Sequence, residues 1–263
     1  MQNTLAVMEI TIAATLVWMF LLWLFSLARR DASIVDIFWG LSFILIAGIG
    51  CEVGHGALAR KALTLALTLI WGLRLAIHIF VRNRGKGEDY RYRAMRKHYG
   101  NRFPIVSFFT VFVLQGVLAW IISLPLQVAT SSPEPGQLGA LDFIGAAIWA
   151  AGFIFESVGD WQLARFKGDA SNKGKVMDRG LWKYTRHPNY FGDALLWWGF
   201  LLIAAGAPAG IFTVIGPALM TFFLVRVSGA ALLEKTLVKT KPEYRDYIAR
   251  TSAFFPWPPK RAA

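Results

Sequence analysis

Leu5-Ala-Val-Met-Glu-Ile-Thr-Ile-Ala-Ala-Thr-Leu-Val-Trp-Met-Phe-Leu-Leu-Trp-Leu-Phe-Ser-Leu27 holds one acidic residue, Glu9, and no basic one. It exceeds the ~20 apolar residues that a helix needs to cross a bilayer. No basic segment precedes it and no small-residue cleavage signal follows, so it reads as a retained spanning helix and not as a signal peptide. Working outward from it, comparable runs recur at about 34–51, 62–81, 105–125, 141–160, 190–206 and 208–226. Together with 5–27 they predict an all-α integral membrane protein, a seven-transmembrane-helix bundle forming a single membrane domain, with 227–263 as a C-terminal tail. The last two runs meet at Ala207-Pro208-Ala209-Gly210, which leaves a re-entrant hairpin as the alternative to two full spans.

Composition agrees. The 263 residues are 56% hydrophobic and 17% charged, with a mean hydropathy of +0.46, so lipid must serve as much of the solvent. Eleven Trp and 20 Phe suit interfacial belts and lipid-facing surfaces, and suit a bundle core equally well. The net charge of +12 and pI of about 10.1 are explained by where the cations lie, without nucleic acid as a partner. Arg29 and Arg30 follow the first run; Arg82, Arg84, Lys86, Arg91, Arg93, Arg96, Lys97 and Arg102 follow the third; 165–186 and the tail from Lys235 to Arg261 are basic too. The alternate connections are poor in cations. The positive-inside rule then places the N-terminus outside and the C-terminus in the cytoplasm, as in a bacterial inner membrane. Cys51 is the only cysteine, which excludes an internal disulfide or a thiolate metal cage.

Charges inside the apolar runs are costly and invite a functional reading. Asp36 lies about one turn inside the second run; Arg74 and His78 share one face of the third; Glu156 and Asp160 close the fifth; Asp193 opens the sixth; Arg226 ends the seventh. On the predicted orientation all belong to the inner leaflet, which suggests a polar cavity open to the cytoplasm. Asp160, Asp193 and Arg226, taken singly, also fit side chains that merely reach interfacial water. Glu9, Glu52 and Asp142, near the other face, fit an ordinary interfacial role.

The connection from Gly159 to Asp193 alternates glycines, cations and aromatics, a makeup suited to a phosphorylated ligand and equally to a positive-inside loop. Within it Gly180-Leu181-Trp182, Arg186-His187-Pro188-Asn189-Tyr190 and Phe191-Gly192-Asp193 resemble the C-terminal signature of the steroid 5α-reductase superfamily, in its bacterial branch long labelled a domain of unknown function. Ser33-Ile34-Val35-Asp36-Ile37-Phe38-Trp39-Gly40, Asn83-Arg84-Gly85-Lys86, and the tail Glu243-Tyr244-Arg245-Asp246-Tyr247 through Phe255-Pro256-Trp257 are similar to other stretches of that family.

The resemblance implies a membrane NADPH-dependent reductase that saturates the carbon–carbon double bond of a 3-oxo-Δ4 steroid or related lipophilic enone. Asp36 matches the carboxylate that holds the substrate carbonyl. Trp71 falls where a Tyr assists it, and as Trp lacks a phenol, His78 or Tyr90 would supply the donor. Arg74, Arg84, Lys86, Asp160, Arg165, Tyr184, Asn189, Asp193 and Arg226 fall at or near dinucleotide contacts; Lys173, Arg186, His187 and Glu234 join that candidate set. An ionised Asp36 would repel a developing enolate, so it is expected to act in its protonated form. No Gly-x-Gly-x-x-Gly follows a strand, so a dinucleotide would have to lie within the helices. The surplus of cations favours NADPH over NADH. The implied partners are a lipophilic substrate arriving from the bilayer and membrane lipid, with no obligate protein partner. The competing reading is an S-adenosylmethionine-dependent methyltransferase, which shares the Arg-His-Pro element and a tail bearing Glu234. A non-catalytic lipid-binding or transport protein is the third.

Overall fold

The computed structural model describes residues 2–227, Glu234 and 237–260; Lys235 and Arg261, counted with the basic tail, lie outside the described residues. The described chain is helical, and the one β-bridge joins Thr185 to Ser252. Six helical stretches are long and apolar enough to cross a membrane: Gln2–Arg29, Ile34–Val53, Leu58–Asn83, Tyr90–Ile122, Ala140–Gly168 and Gly210–Val227. The helix at the predicted sixth run, Pro188–Ala205, is not among them. Asn189 and Asp193 in its first turns lower its hydropathy. The chain divides into two compact units, Met1–Asp142 with Ile203–Ile215, and Phe143–Leu202 with Gly216–Ala263.

In the first unit, α1 (Gln2–Arg29) runs without Gly or Pro. Its buried positions, Val7, Thr11, Thr15, Met19, Leu22 and Ser26, recur every three or four residues as one stripe, while Leu5, Val17, Leu21 and Phe25 stay exposed. The buried stripe thus combines three hydroxyl side chains with three apolar ones, while the outward face is large and apolar, as suits a helix packing in lipid. Helices α2 (Ile34–Val53) and α3 (Leu58–Asn83) touch backbone to backbone, since a Cβ on Gly40 would stand 2.6 Å from the Gly72 carbonyl oxygen. After the short polar helix α4 (Tyr90–Tyr99), the chain passes through α5 (Phe103–Ser107), a π-helical segment (Phe108–Val113) and α6 (Leu114–Ile122).

Two expectations are corrected in this unit. Residues 126–140, expected to be a connection, begin with the rest of a further helix, α7 (Leu124–Ser131), buried from Pro125 onward. Gly50, Gly54 and Gly56 make room for it: a Cβ on Gly54 would meet the Thr130 carbonyl oxygen at 2.4 Å, and the Gly56 amide donates to that oxygen at 3.0 Å. Asp142, expected to be interfacial, is fully buried against a fully buried Arg60, with Nε to Oδ1 at 2.8 Å and Nη2 to Oδ2 at 3.1 Å. The Pro135 and Gln137 carbonyls and the Gly139 amide complete the set. A charge withdrawn so far from water persists only with such full pairing.

In the second unit, α8 (Ala140–Gly168) and α9 (Pro188–Ala205) pack through a glycine ladder. Cβ atoms placed on Gly152, Gly192 and Gly199 would stand 2.3–2.7 Å from backbone of the facing helix, at Leu196, Glu156 and Gly145 among others. Gly145, Gly152 and Gly159 on one helix, and Gly192 and Gly199 on the other, repeat every seven residues, which keeps each set on one face. Helix α10 (Ile215–Phe222) ends in a π turn, Phe223–Val227, and the tail carries a last helix, Tyr244–Arg250.

Gly192→Leu is expected to lower the unfolding temperature in detergent sharply, and Gly136→Ala, with open space around it, to leave it unchanged. Asp142→Asn is expected to cost about 3 kcal/mol by stranding the Arg60 guanidinium, and the double change Arg60→Met with Asp142→Leu to recover most of that loss in the same melting assay.

Candidate functional site

Asp36 sits in the first turn of α2 with both carboxylate oxygens engaged. The Tyr92 hydroxyl donates to Oδ1 at 2.7 Å and Arg91 Nη2 donates to Oδ2 at 2.7 Å. Gln115 Nε2 lies 3.4 Å from the Tyr92 hydroxyl oxygen. Arg91 also donates through Nε to Asp89 Oδ1 at 2.9 Å. Local sequence builds this cluster. Gly85 and Gly87 take φ of 78° and 67°, where a side chain would strain, and turn the chain out of α3. Asp89 caps α4 by accepting from the Arg91 amide at 2.9 Å. Tyr92 is the one buried residue of that otherwise polar helix.

Glu88 then fastens α4 to the turn before α2. It accepts two bonds from Arg96, at 2.7 and 3.0 Å, and one from the Ala32 amide at 2.8 Å. Burial alone would raise the Glu88 carboxyl, but these bonds outweigh it and hold the group below its ordinary range. Asp89 is lowered in the same way, its burial outweighed by the bonds from Arg91.

The other candidates of this unit are placed differently. Trp71 is fully buried, its ring edge-on to Phe43 at 5.4 Å. Arg74 and His78 are half-buried along α3, while Arg84 and Lys86 are exposed in the turn after it. Tyr90 is 64% exposed. The phenol at Asp36 is therefore Tyr92, and Arg91 brings a guanidinium to it. Neither was singled out from sequence, although both lie in the Asp89-Tyr90-Arg91-Tyr92 stretch, whose Asp cap announces a helix.

In the second unit, Asn189 Nδ2 donates to Asp160 Oδ1 at 3.0 Å, joining the first turn of α9 to α8. Glu156 and Asp193 are buried on the same two helices. Asn189 Oδ1 and Ser157 Oγ are buried without a hydrogen-bond partner among the described residues. The Trp182 indole donates to the Gly159 carbonyl at 3.0 Å, and Gln162 Oε1 accepts from the Leu181 amide at 3.0 Å, which ties the Gly180–Lys183 turn to α8. Arg165 lies 5.5 Å from the Trp161 ring; Arg165, Lys173, Tyr184 and Arg226 are exposed.

Arg186, His187 and Glu234 form a separate, tightly knit group. Arg186 donates to Glu234 at 2.7 and 3.2 Å and to the Ile248 and Thr251 carbonyls at 3.2 and 2.6 Å. His187 Nε2 stands 2.9 Å from Glu234 Oε1, and its ring stacks on Tyr190 at 5.4 Å. The donors of Arg186 are taken by protein acceptors, so here it pins the tail to the turn before α9. Burial raises the Glu234 carboxyl, yet hydrogen bonds from His187 and Arg186, together with the guanidinium charge, bring it down to about 2.

Set beside known proteins, residues 22–251 match the model of a family of proteins of unknown function, DUF1295, and the chain belongs to that family. An uncharacterized protein of the yeast Schizosaccharomyces pombe is similar at 25% identity over 260 residues, covering 89% of this chain and 75% of the relative. No solved structure matches.

Because the folded Glu234 carboxyl is depressed from 4.5 to about 2, its contribution to stability is complete above pH 4.5 and is lost as the pH falls toward 2. Melting temperatures between pH 7 and 3 are expected to fall more steeply for the native protein than for Glu234→Gln, which at pH 7 is already the less stable.

Proposed function

We propose that this member of DUF1295 is an NADPH-dependent membrane reductase that saturates the carbon–carbon double bond of a lipophilic enone, such as a 3-oxo-Δ4 steroid. We place it in a seven-span bundle with the N-terminus outside and the tail in the cytoplasm. The observation that carries the reading is the Tyr92 phenol hydrogen-bonded to Asp36 at 2.7 Å. A reductase of this kind requires a carboxyl group with a phenolic donor beside it, and the sequence, with Trp71 in place of a Tyr, left that donor unidentified. Long apolar helices suit a substrate that arrives from the bilayer.

A dinucleotide finds chemically suitable groups here. Asn189 Oδ1 is a buried acceptor in need of a donor, which a carboxamide or a ribose hydroxyl provides. Asp160 orients that Asn189, and Arg165 and Lys173 are exposed cations suited to phosphate. NADPH, when bound, supplies the hydride. The chain itself acts on the carbonyl oxygen, where negative charge accumulates as the β-carbon is reduced. Tyr92 brings a hydroxyl donor to that oxygen and Arg91 a positive charge, so Asp36 is not the only source of stabilisation. When its hydroxyl turns from Asp36 to the substrate oxygen, Tyr92 donates a hydrogen bond to the developing enolate, and the α-carbon takes its proton from water to complete the saturated ketone.

Calorimetry on the detergent-purified protein is expected to give binding of NADPH and none of S-adenosylmethionine; the reverse would install the methyltransferase reading, and binding of neither would favour a non-catalytic role. With an accepted enone, Tyr92→Phe is expected to reduce turnover by about 10²-fold, the usual loss for one oxyanion donor, with NADPH affinity unchanged. Asp36→Asn is expected to retain more activity than Asp36→Leu in a mass-spectrometric product assay, and equal activity in the two would remove Asp36 from the chemistry.

A further inference from the structure

The tail presents two large aromatic side chains that its own fold does not cover. Phe255 is 69% and Trp257 72% exposed. Their backbone is nevertheless firmly held. The Phe254 carbonyl accepts from Thr185 Oγ1 at 2.8 Å, the Trp257 amide donates to the Tyr184 carbonyl at 2.9 Å, and the Lys260 amide donates to the Arg250 carbonyl at 2.9 Å. Exposure here is a fixed presentation.

The depth of this segment follows from ring contacts. Phe254 and Phe255 pack edge-on to Phe191 in the first turn of α9, at 5.9 and 6.1 Å, and Phe191 packs on Phe155 of the spanning helix α8 at 5.3 Å. Phe255 therefore packs at the start of α9, with Trp257 two residues further along the tail, and aromatic side chains at the end of an apolar helix meet headgroups. Beside them is a cavity of about 360 Å³, whose lining includes Arg186, Arg250, Thr251, Ser252, Trp257 and Lys260. Arg186 is matched by Glu234, and Arg250 by Asp178 at 2.7 Å. The Lys260 ammonium has no acceptor among the described residues, so the cavity keeps one uncompensated positive charge.

We propose that this cavity seats the phosphate headgroup of an anionic phospholipid, with Trp257 and Phe255 inserted beside its glycerol and upper acyl chain. Lys260 supplies the unmatched charge, and Arg250 adds hydrogen-bond donors. The lipid fixes the tail at the membrane surface, a role that goes beyond the proposed reduction and does not require it.

Thermal unfolding of the full chain in mixed micelles tests this, with phosphatidylglycerol, phosphatidylcholine or the soluble headgroup analogue glycerol phosphate added. Phosphatidylglycerol is expected to raise the melting temperature more than phosphatidylcholine, with glycerol phosphate without effect. In Lys260→Gln the phosphatidylglycerol concentration for half-maximal stabilisation is expected to rise about fivefold, equivalent to about 1 kcal/mol for one basic residue at an anionic surface. Lys260→Arg should restore it, Trp257→Ala should weaken it, and Lys97→Gln, on the exposed face of α4, should leave it unchanged. Equal stabilisation by the two lipids, equal stabilisation by glycerol phosphate, or an unaltered response in both Lys260→Gln and Trp257→Ala would overturn the proposal.

Discussion

Hydrocarbon offers no hydrogen bonds, and most features of this protein answer that constraint. Several hydroxyl side chains inside the helices donate to the preceding turn: Thr68 to the Thr64 carbonyl at 2.7 Å and Thr130 to Leu126 at 2.8 Å. Gln127, wholly buried, donates to the Trp120 carbonyl and to Ser123 Oγ while accepting from Thr11 Oγ1 at 3.0 Å. Where polar groups are closed on themselves, helices can be joined by contact alone, and contact is closest where glycine removes the side chain. The Gly40 and Gly72 crossing, the approach of Gly54 and Gly56 to α7, and the α8–α9 ladder are places where backbone meets backbone.

The same constraint decides what could be read from sequence. Hydropathy found the six stretches long and apolar enough to cross a membrane, because a long apolar run has few other uses. It missed α7, whose Gln, Thr and Ser look like a loop until their hydrogen bonds are known. Asp142 read as interfacial and Arg60 was not singled out, because their pairing spans 82 positions and no periodicity reports a contact of that range. Asp36 and Asp160 were legible as a polar minority in apolar surroundings, and Asn189 through the family resemblance of its motif. Arg91 and Tyr92 were not, since a basic stretch after a span already has a sufficient explanation in membrane orientation.

Arg186 shows the complementary limit. A motif containing Arg-His-Pro suggests an anion site, and the residue type is right for one. In the folded chain its guanidinium instead bridges Glu234 and two tail carbonyls. The recognisable segment therefore marks where the tail is bolted down, and its neighbour Asn189 carries the unsatisfied acceptor.

Three arginine–carboxylate pairs can be ordered by how freely each exchanges partners. Arg60 and Asp142 have side chains 0% exposed, so separation strands two charges and the pair is architectural. Arg186 and Glu234, at 9% and 19%, are locked further by His187 and the tail carbonyls. Arg91 is 42% exposed and Asp36 18%, and Arg91 keeps Asp89 as a second acceptor if it leaves. Of the three, this pair can open at the lowest electrostatic cost. Under the proposed reduction, displaceability and a neighbouring phenol, more than the presence of a charge in the membrane, distinguish Asp36 from the other two carboxylates.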